Sequence, residues 1–289
     1  MINRIRLLRP EHWIKNILVL LPLVTAHKLY DVPLLIKTLI GTAVFCLLSS
    51  VIYIINDIND IETDKLHPKK CKRPLASGAV SVSAAKGMIV FLLALIIAIG
   101  IFSFGDNVMA WAVLACYLIA NIAYSVKLKH IAIADIFILA SGYVLRIYFC
   151  SALTGIEISG WLFLTLTSGA LFLALGKRCG EFRKQGNSGE TRKVLLYYTD
   201  SFLDKSMYMC EAITIIFYSL WSIDSITIIQ SSNDKIIFTV PFVIMIFMRY
   251  DLLIERGADG DPVSTLMNDK PLLLICLVFV LVFLGMLYL

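Results

Sequence analysis

Three aspartates that follow the second long apolar segment have the residue type and spacing of metal ligands. Asp57, Asp60 and Asp64 lie in the run N-D-I-N-D-I-E-T-D at residues 56–64. A helical period of about 100° per residue places them on one face. Adjacent carboxylates repel each other unless a cation neutralises them, and hard oxygen ligands favour Mg²⁺ shared with a substrate phosphate. The pattern predicts a magnesium site. The alternative is an acidic helix cap, which the helix dipole disfavours at this end.

A basic segment comes shortly after these acids. The run H-P-K-K-C-K-R-P-L-A-S-G at residues 67–78 contains Lys69, Lys70, Lys72 and Arg73. Cations beside carboxylates suit a polyanion that is held from both sides, and the prolines and glycine indicate a shaped loop. The alternative is a loop that is basic only because it faces the cytoplasm. Arg73, which directly precedes a proline, is the strongest candidate here for a substrate contact.

The run R-P-E-H-W-I-K-N at residues 9–16 opens the first apolar segment. Arg9 and Trp13 are typical of interfacial anchors. Lys15 and Asn16 begin an apolar stretch, where polar groups are costly unless they line a polar cavity. Snorkelling to the interface is the alternative for Lys15.

Further candidates lie within or just after the fourth, fifth and sixth apolar segments. Arg146 lies deep within the fifth, so we expect it to face an internal cavity with an anionic partner. Asp135 shares its helix face but lies about 16 Å away along the axis, so the two cannot pair directly. The other candidates are one tyrosine and three cations: Tyr124, Lys129, Lys177 and Arg178.

Nine apolar windows must position these residues. A bilayer-spanning helix needs about 20 mostly apolar residues. Windows of this kind run over residues 14–29, 34–55, 84–104, 108–126, 131–153, 160–175, 207–229, 236–250 and 271–288. They predict an all-α integral membrane protein with nine transmembrane helices, which form a single domain over residues 1–289.

The distribution of basic residues predicts the orientation. Of the 26 Lys and Arg residues, nearly all lie in the N-terminal tail and in the loops after the even-numbered windows. Only Lys28, Lys37 and Lys235 lie on the opposite side, with Arg146 inside a window. By the positive-inside rule the basic face is cytoplasmic. We therefore expect an inner-membrane protein whose polar site faces the cytoplasm, with a flexible loop tip at residues 185–190.

The composition excludes several classes of protein. The 289 residues are 59% hydrophobic and 16% charged, which argues against disordered chains, disulfide-stapled secreted domains and most soluble enzymes. The net charge of +5 does not indicate nucleic acid, because the cations lie in short loops between apolar runs. The seven scattered cysteines indicate neither a zinc site nor a disulfide framework.

Together, these motifs resemble the UbiA superfamily of membrane prenyltransferases, and more closely its decaprenyl-phosphate phosphoribosyltransferase branch. The likeness runs nearly from end to end. Besides the three runs above, it includes L-K-H at 128–130, S-G-Y-V-L-R at 141–146 and G-K-R-C-G-E at 176–181. The aspartate motif belongs to the whole superfamily, whereas the W-I-K-N, L-K-H and G-K-R segments indicate the branch. The resemblance implies a UbiA-like helical bundle with a cytoplasm-facing polar pocket.

The resemblance also implies a reaction. A 5-phosphoribosyl group moves from 5-phosphoribosyl 1-diphosphate to a polyprenyl phosphate, pyrophosphate leaves, and the product is a precursor for arabinosyl or ribosyl units of an envelope glycan. Mg²⁺ is the implied cofactor, and a homo-oligomer is left open. The expected catalytic residues are Asp57, Asp60, Asp64 and Arg73, the expected metal ligands are Asn56 and the same three aspartates, and the expected substrate-binding residues are Lys15, Asn16, Asn56, Lys70, Lys72, Tyr124, Lys129, Asp135, Arg146, Lys177 and Arg178.

One departure bears on the alternatives. Members of the superfamily that prenylate aromatic acceptors carry a second aspartate-rich motif near the fifth span, where this chain has only Asp135. That difference counts against a prenyltransferase with a polyprenyl diphosphate donor and an aromatic acceptor, which stays as the alternative enzyme. The alternative from another class is a membrane transporter. A transporter needs charges near the midplane on several spans, and only Arg146 clearly qualifies.

Overall fold

The chain is mainly helical in the part that the computed structural model describes, which is residues 2–66, 70–185, 193–224, 227 and 235–288. No β-strand occurs within those residues, as the apolar windows predict. The basic-loop residues His67, Pro68 and Lys69 lie outside the described part. So do residues 186–190 of the expected flexible tip.

Long α-helices alternate with short 3-10 segments. The α-helices are α1 Ile2–Leu8, α2 Leu21–Thr25, α3 Val32–Asn59, α4 Ile61–Leu66, α5 Val82–Phe104, α6 Val108–Val126, α7 Ala134–Thr154, α8 Gly160–Gln185, α9 Asp200–Ser222, α10 Val240–Glu255, α11 Pro262–Asn268 and α12 Lys270–Tyr288. The 3-10 segments are Pro10–Leu20, Lys70–Lys72, Leu128–His130, Lys193–Tyr197 and Lys235–Thr239.

Seven helices in the described residues are long and apolar enough to cross a bilayer: α3, α5, α6, α7, α8, α10 with the 3-10 segment before it, and α12. They match seven of the nine windows. The window at 14–29 instead forms the 3-10 segment Pro10–Leu20 and the short helix α2. The break between the two lies next to Pro22, which lacks the N–H that a continuous α-helix needs there. The window at 207–229 falls on α9, whose apolar stretch contains Lys205 and Glu211, and its last residues lie largely outside the described part.

The chain divides into two compact units. The first comprises Met1–Leu21, Val32–Leu128 and Leu145–Gly155. The second comprises Pro22–Asp31, Lys129–Val144 and Ile156–Leu289. Helix α7 therefore contributes its first half to the second unit and its second half to the first.

The core of the first unit is built around α3. The ring of Phe45 on α3 packs against Tyr117 of α6 and Phe149 of α7, with centroid distances of 4.5 and 5.5 Å. On α5, by contrast, Phe102 is 91% exposed. An apolar surface of this kind suits contact with acyl chains. The packing holds α3 along its length, which fixes the position of the acidic run at its carboxyl end.

The core of the second unit lies between α8, α9, α10 and α12. Phe172 of α8 packs against Phe247 and Tyr250 of α10 at centroid distances of 4.6 and 5.4 Å. Met207 of α9 and Leu272 of α12 are buried in the same cluster. This packing fixes the carboxyl half of α8, which bears the basic pair of the G-K-R segment.

Candidate active site

The acidic run crosses the junction between α3 and α4 without losing its helical hydrogen bonding. The N–H of Asp60 donates to the Asn56 carbonyl at 2.9 Å, and the N–H of Asp64 donates to the Asp60 carbonyl at 2.8 Å. Asp57 and Asp64 are therefore two turns apart on one side, as the period predicts. Both are nearly fully buried, at 2% and 3% exposure, whereas Asp60 is half-buried. Glu62 is exposed and pairs with Lys65.

Arg73 of the basic loop joins the two buried aspartates. Its Nη1 lies 2.6 Å from Asp64 Oδ2 and 3.4 Å from Asp57 Oδ1. The loop is shaped as its prolines indicate, because the Arg73 N–H donates to the Lys70 carbonyl at 2.9 Å and closes a 3-10 turn. The structure thus brings together three of the four expected catalytic residues.

Arg9 is a second cation on Asp57, and the sequence analysis did not place it in the site. Its Nη2 forms an ion pair with Asp57 Oδ1, and its guanidinium lies 5.2 Å from the centroid of the Tyr53 ring. The Arg9 backbone is left-handed, with φ 51° and ψ 60°, a conformation that is uncommon for a residue other than glycine. The sequence contained one indication of this contact, which is Asp57 itself. A carboxylate that becomes buried needs a cationic partner.

Two oxygens of the acidic run have the chemistry that a hard cation requires. Within the described residues, Asn56 Oδ1 and Asp57 Oδ2 are buried and have no hydrogen-bond partner. Carboxylate and amide oxygens are suitable Mg²⁺ ligands, so the donor set fits this ion. The described part of the chain contains no preformed group of three or more His, Cys, Asp or Glu that would hold a metal on its own. A bound Mg²⁺ would therefore need further ligands from water or substrate.

Deeper in the first unit, Arg146 forms a buried polar network. Its Nε donates to Asn16 Oδ1 at 2.7 Å, and its Nη2 donates to the Tyr117 hydroxyl at 2.8 Å. The guanidinium also lies 5.2 Å from the ring centroid of Phe45 and 5.1 Å from that of Tyr117. The structure therefore brings together the expected residues Asn16 and Arg146. Tyr117 was missed, because a tyrosine in an apolar helix has no distinguishing sequence pattern.

A second cluster lies wholly within the second unit and contains Asp135 and Arg178. Both side chains are 0% exposed, and Arg178 Nε lies 2.7 Å from Asp135 Oδ2. Arg178 Nη1 also pairs with Glu181. The Tyr198 hydroxyl donates to Asp135 Oδ1 at 2.6 Å and accepts from the Ile133 N–H at 2.6 Å. Burial first, and then the bond to Asp135, raise the pKa of Tyr198. Tyr198 was not among the expected residues.

The other expected residues differ in exposure. Lys72 is exposed, and the half-buried ones are Lys15, Lys70, Tyr124, Lys129 and Lys177. Their assignment to substrate stays a prediction.

The comparisons with known proteins agree on one family. A model of the UbiA prenyltransferase family matches residues 17–179. The decaprenyl-phosphate phosphoribosyltransferase of Corynebacterium glutamicum is 36% identical over 283 residues, which cover 96% of this chain and 84% of that protein. The protein of the same name from Mycolicibacterium smegmatis is 33% identical over 295 residues, covering 96% of this chain and 89% of that one.

Solved structures show the same fold. A UbiA homologue from Archaeoglobus fulgidus bound to GPP and Mg²⁺ superimposes with a TM-score of 0.70, over 99% of this chain and 100% of that one, at 20% identity. The same homologue bound to Cd²⁺ superimposes with a TM-score of 0.67 at 19% identity. At such identities the likeness establishes the fold.

Proposed function

This chain belongs to the UbiA prenyltransferase family, and we propose that it transfers a 5-phosphoribosyl group from 5-phosphoribosyl 1-diphosphate to a polyprenyl phosphate, with release of pyrophosphate. The observation that carries the proposal is the extent of the likeness. Relatives named for this activity match 96% of the chain, at 36% identity for the C. glutamicum protein. The product would serve envelope glycan synthesis.

The chain is an integral, multi-pass membrane protein, because it combines seven long apolar helices with this family. We place it in the inner membrane with nine spans and its polar site on the cytoplasmic side. The support is the concentration of Lys and Arg on one set of loops. In a variant whose seven native cysteines are replaced by serine, a membrane-impermeant maleimide should label Asp106→Cys from outside the cell. It should label Ser77→Cys only after permeabilisation. The reverse pattern would refute the orientation.

Magnesium fits the acidic run. Asn56 Oδ1 and Asp57 Oδ2, which are buried and have no hydrogen-bond partner, would bind it together with the carboxylates of Asp60 and Asp64. When bound there, the ion would neutralise charge on the diphosphate of the donor.

The cations beside the acidic run would bind the donor and stabilise its leaving group. As the bond from ribose C1 to the diphosphate oxygen breaks, negative charge grows on the departing pyrophosphate. Arg73, which pairs with Asp57 and Asp64, would bind that charge with its planar guanidinium. Lys15, Asn16, Lys70 and Lys72 would bind the remaining donor phosphates.

The acceptor needs orientation more than activation. A lipid phosphate is ionised at pH 7, so its oxygen can attack ribose C1 without a general base, provided that it is held in line. We assign contacts with this phosphate or with the ribose 5-phosphate to individual residues of the two units, which are Tyr124, Lys129, Asp135, Arg146, Lys177 and Arg178. Arg178 already pairs with Asp135 and Glu181, so a phosphate there would share it with these carboxylates.

The variant Asp64→Asn tests the role of the acidic run. The substitution keeps the side-chain volume but removes the negative charge of the buried Asp64. We expect transfer to fall by about 10²-fold or more, as for other groups that stabilise transition-state charge. The control is Glu62→Gln, which removes one charge from an exposed side chain of the same helix. It should stay within about twofold of wild type. Full Mg²⁺-dependent transfer by Asp64→Asn would refute the proposed role.

A further inference from the structure

The turn at residues 258–260, which follows α10, packs backbone to backbone against α8. At Gly180 of α8, an added Cβ would lie 2.6 Å from the carbonyl carbon of Asp259. Gly260 of the turn is equally close to α8, because an added Cβ on Gly260 would lie 2.3 Å from the carbonyl oxygen of Gly176. Backbone atoms cannot swing aside as the end of a long side chain can. The turn and the helix therefore fix each other's position.

The turn is held in this conformation at both ends. Gly260 has φ +72°, which favours glycine, and its carbonyl accepts a hydrogen bond from the Tyr250 hydroxyl at 2.9 Å. Before the turn, the Ala258 N–H donates back into the last turn of α10 at 3.0 Å. After it, the Asp261 side chain caps α11 by accepting from the Ser264 N–H at 3.2 Å.

Lys177 lies at the point of contact. An added Cβ on Gly260 would lie 2.7 Å from the Lys177 Cα. The next residue, Arg178, is held separately by Asp135 and Glu181. The carboxyl half of α8 is thus fixed by two independent sets of contacts, and the 258–260 turn is the one that bears on Lys177.

We infer that the 258–260 turn sets the position of Lys177 for the phosphate that it binds, with Gly260 and Tyr250 as positioning residues. The inference rests on the proposed function, in which Lys177 contacts a substrate phosphate. A lysine ammonium is a point charge on a flexible stem, so the position of the Lys177 Cα sets how far that charge can reach. Displacement of the turn would weaken substrate binding more than it would slow the chemical step.

Two glycines of the same segment provide a matched test. Gly257 has φ +88° and no atom within 4 Å of an added Cβ, so Gly257→Ala strains the backbone without a clash. Gly260→Ala causes a similar backbone strain, since φ is also positive there, and in addition a clash with the backbone of α8. We expect Gly260→Ala to raise the KM of one phosphate substrate by about tenfold, and Gly257→Ala to leave both KM values within about twofold of wild type. Equal KM values in the two variants would overturn the inference.

A double-mutant cycle separates positioning from general destabilisation. In a Lys177→Ala background, Gly260→Ala should raise the KM little further, because the group that it displaces is already absent. A full additional increase would show that the turn acts on something other than Lys177 and would overturn the inference.

If Gly260→Ala does not purify as a folded protein, Tyr250→Phe takes its place in the cycle, since it removes only the hydroxyl that binds Gly260. The expected KM rise is about threefold, and it should again vanish in the Lys177→Ala background. A rise that persists there, or no rise in the wild-type background, would overturn the inference. A wild-type protein without transfer activity would instead refute the proposed function.

Discussion

Asp57 shares one carboxylate oxygen between two guanidiniums, those of Arg9 and Arg73. A carboxylate at 2% exposure would be costly without such partners. Because both arginines bind Oδ1, Oδ2 stays available for another ligand. Asp57 is thus buried beside two cationic side chains, while its second carboxylate oxygen makes no hydrogen bond.

The variant Arg9→Gln tests whether Arg9 belongs to this network. It leaves the buried Asp57 with one guanidinium instead of two, and we expect a loss of about 1–3 kcal/mol in the free energy of unfolding. Arg6→Gln removes the same charge from an exposed position in the neighbouring helix and should change stability by about 0.5 kcal/mol or less. Thermal unfolding in detergent gives both values. Equal shifts would restore the interpretation of Arg9 as an interfacial anchor.

The hydrogen bond from Tyr198 to Asp135 should make stability depend on alkaline pH. The pKa of the Tyr198 phenol is raised in the folded protein, so folding favours the protonated phenol. The stabilisation is therefore complete below the pKa of the phenol in the unfolded chain, which is about 10. This stabilisation is lost as the pH rises from about 10 towards the pKa of the phenol in the folded protein. Tyr198→Phe lacks the bond and should unfold at a lower Tm than wild type at pH 8.

The gap in Tm between wild type and Tyr198→Phe should then narrow as pH rises above about 10. The measurement is the Tm of both proteins across this range, so that effects common to both cancel. A gap that stays constant with pH would contradict the assigned bond.

Among the helices, the N-terminal apolar window at residues 14–29 differs most from its predicted structure, a single membrane-spanning helix. Apolar composition predicts that a segment prefers lipid, but it does not distinguish an α-helix from a 3-10 helix, because both bury an apolar face. The 11 residues of Pro10–Leu20 extend about 22 Å at a 3-10 rise, against about 17 Å as an α-helix. The tighter winding also changes which side chains share a face, so the positions of Lys15 and Asn16 could not be derived from α-helical spacing.

Asn107 connects two elements of the first unit and offers a test of their packing. It caps α6 by accepting from the Ala110 N–H at 3.0 Å, and it donates to the Ala152 carbonyl on α7 at 2.7 Å. Asn107→Ser should keep the cap and lose the second bond, whereas Asn107→Ala should lose both. We expect the alanine variant to be less stable than the serine variant by about 1 kcal/mol. Indistinguishable Tm values would contradict the capping role.

At the scale of the whole molecule, the sequence predicted what depends on composition and short spacing. Seven spans follow from apolar length, and the two-turn spacing of Asp57 and Asp64 follows from the helical period. Contacts between residues far apart in the chain could not be predicted in this way. Arg9 and Asp57 are 48 positions apart, and Arg146 and Asn16 are 130 apart, so no local pattern records either contact. The assignment of substrates came from family resemblance, not from geometry.

The proposed reaction breaks the bond from ribose C1 to the diphosphate and forms one from ribose C1 to the lipid phosphate. The most direct measurement supplies the purified protein and Mg²⁺ with polyprenyl phosphate and a doubly labelled donor, with ¹⁴C in the ribose and ³²P in the β-phosphate of the diphosphate. We expect ¹⁴C in the lipid product and ³²P released as pyrophosphate, in equal amounts. The proposed reaction predicts this outcome. It would be contradicted if both labels entered the lipid, or if neither did while a polyprenyl diphosphate and an aromatic acid gave a prenylated product.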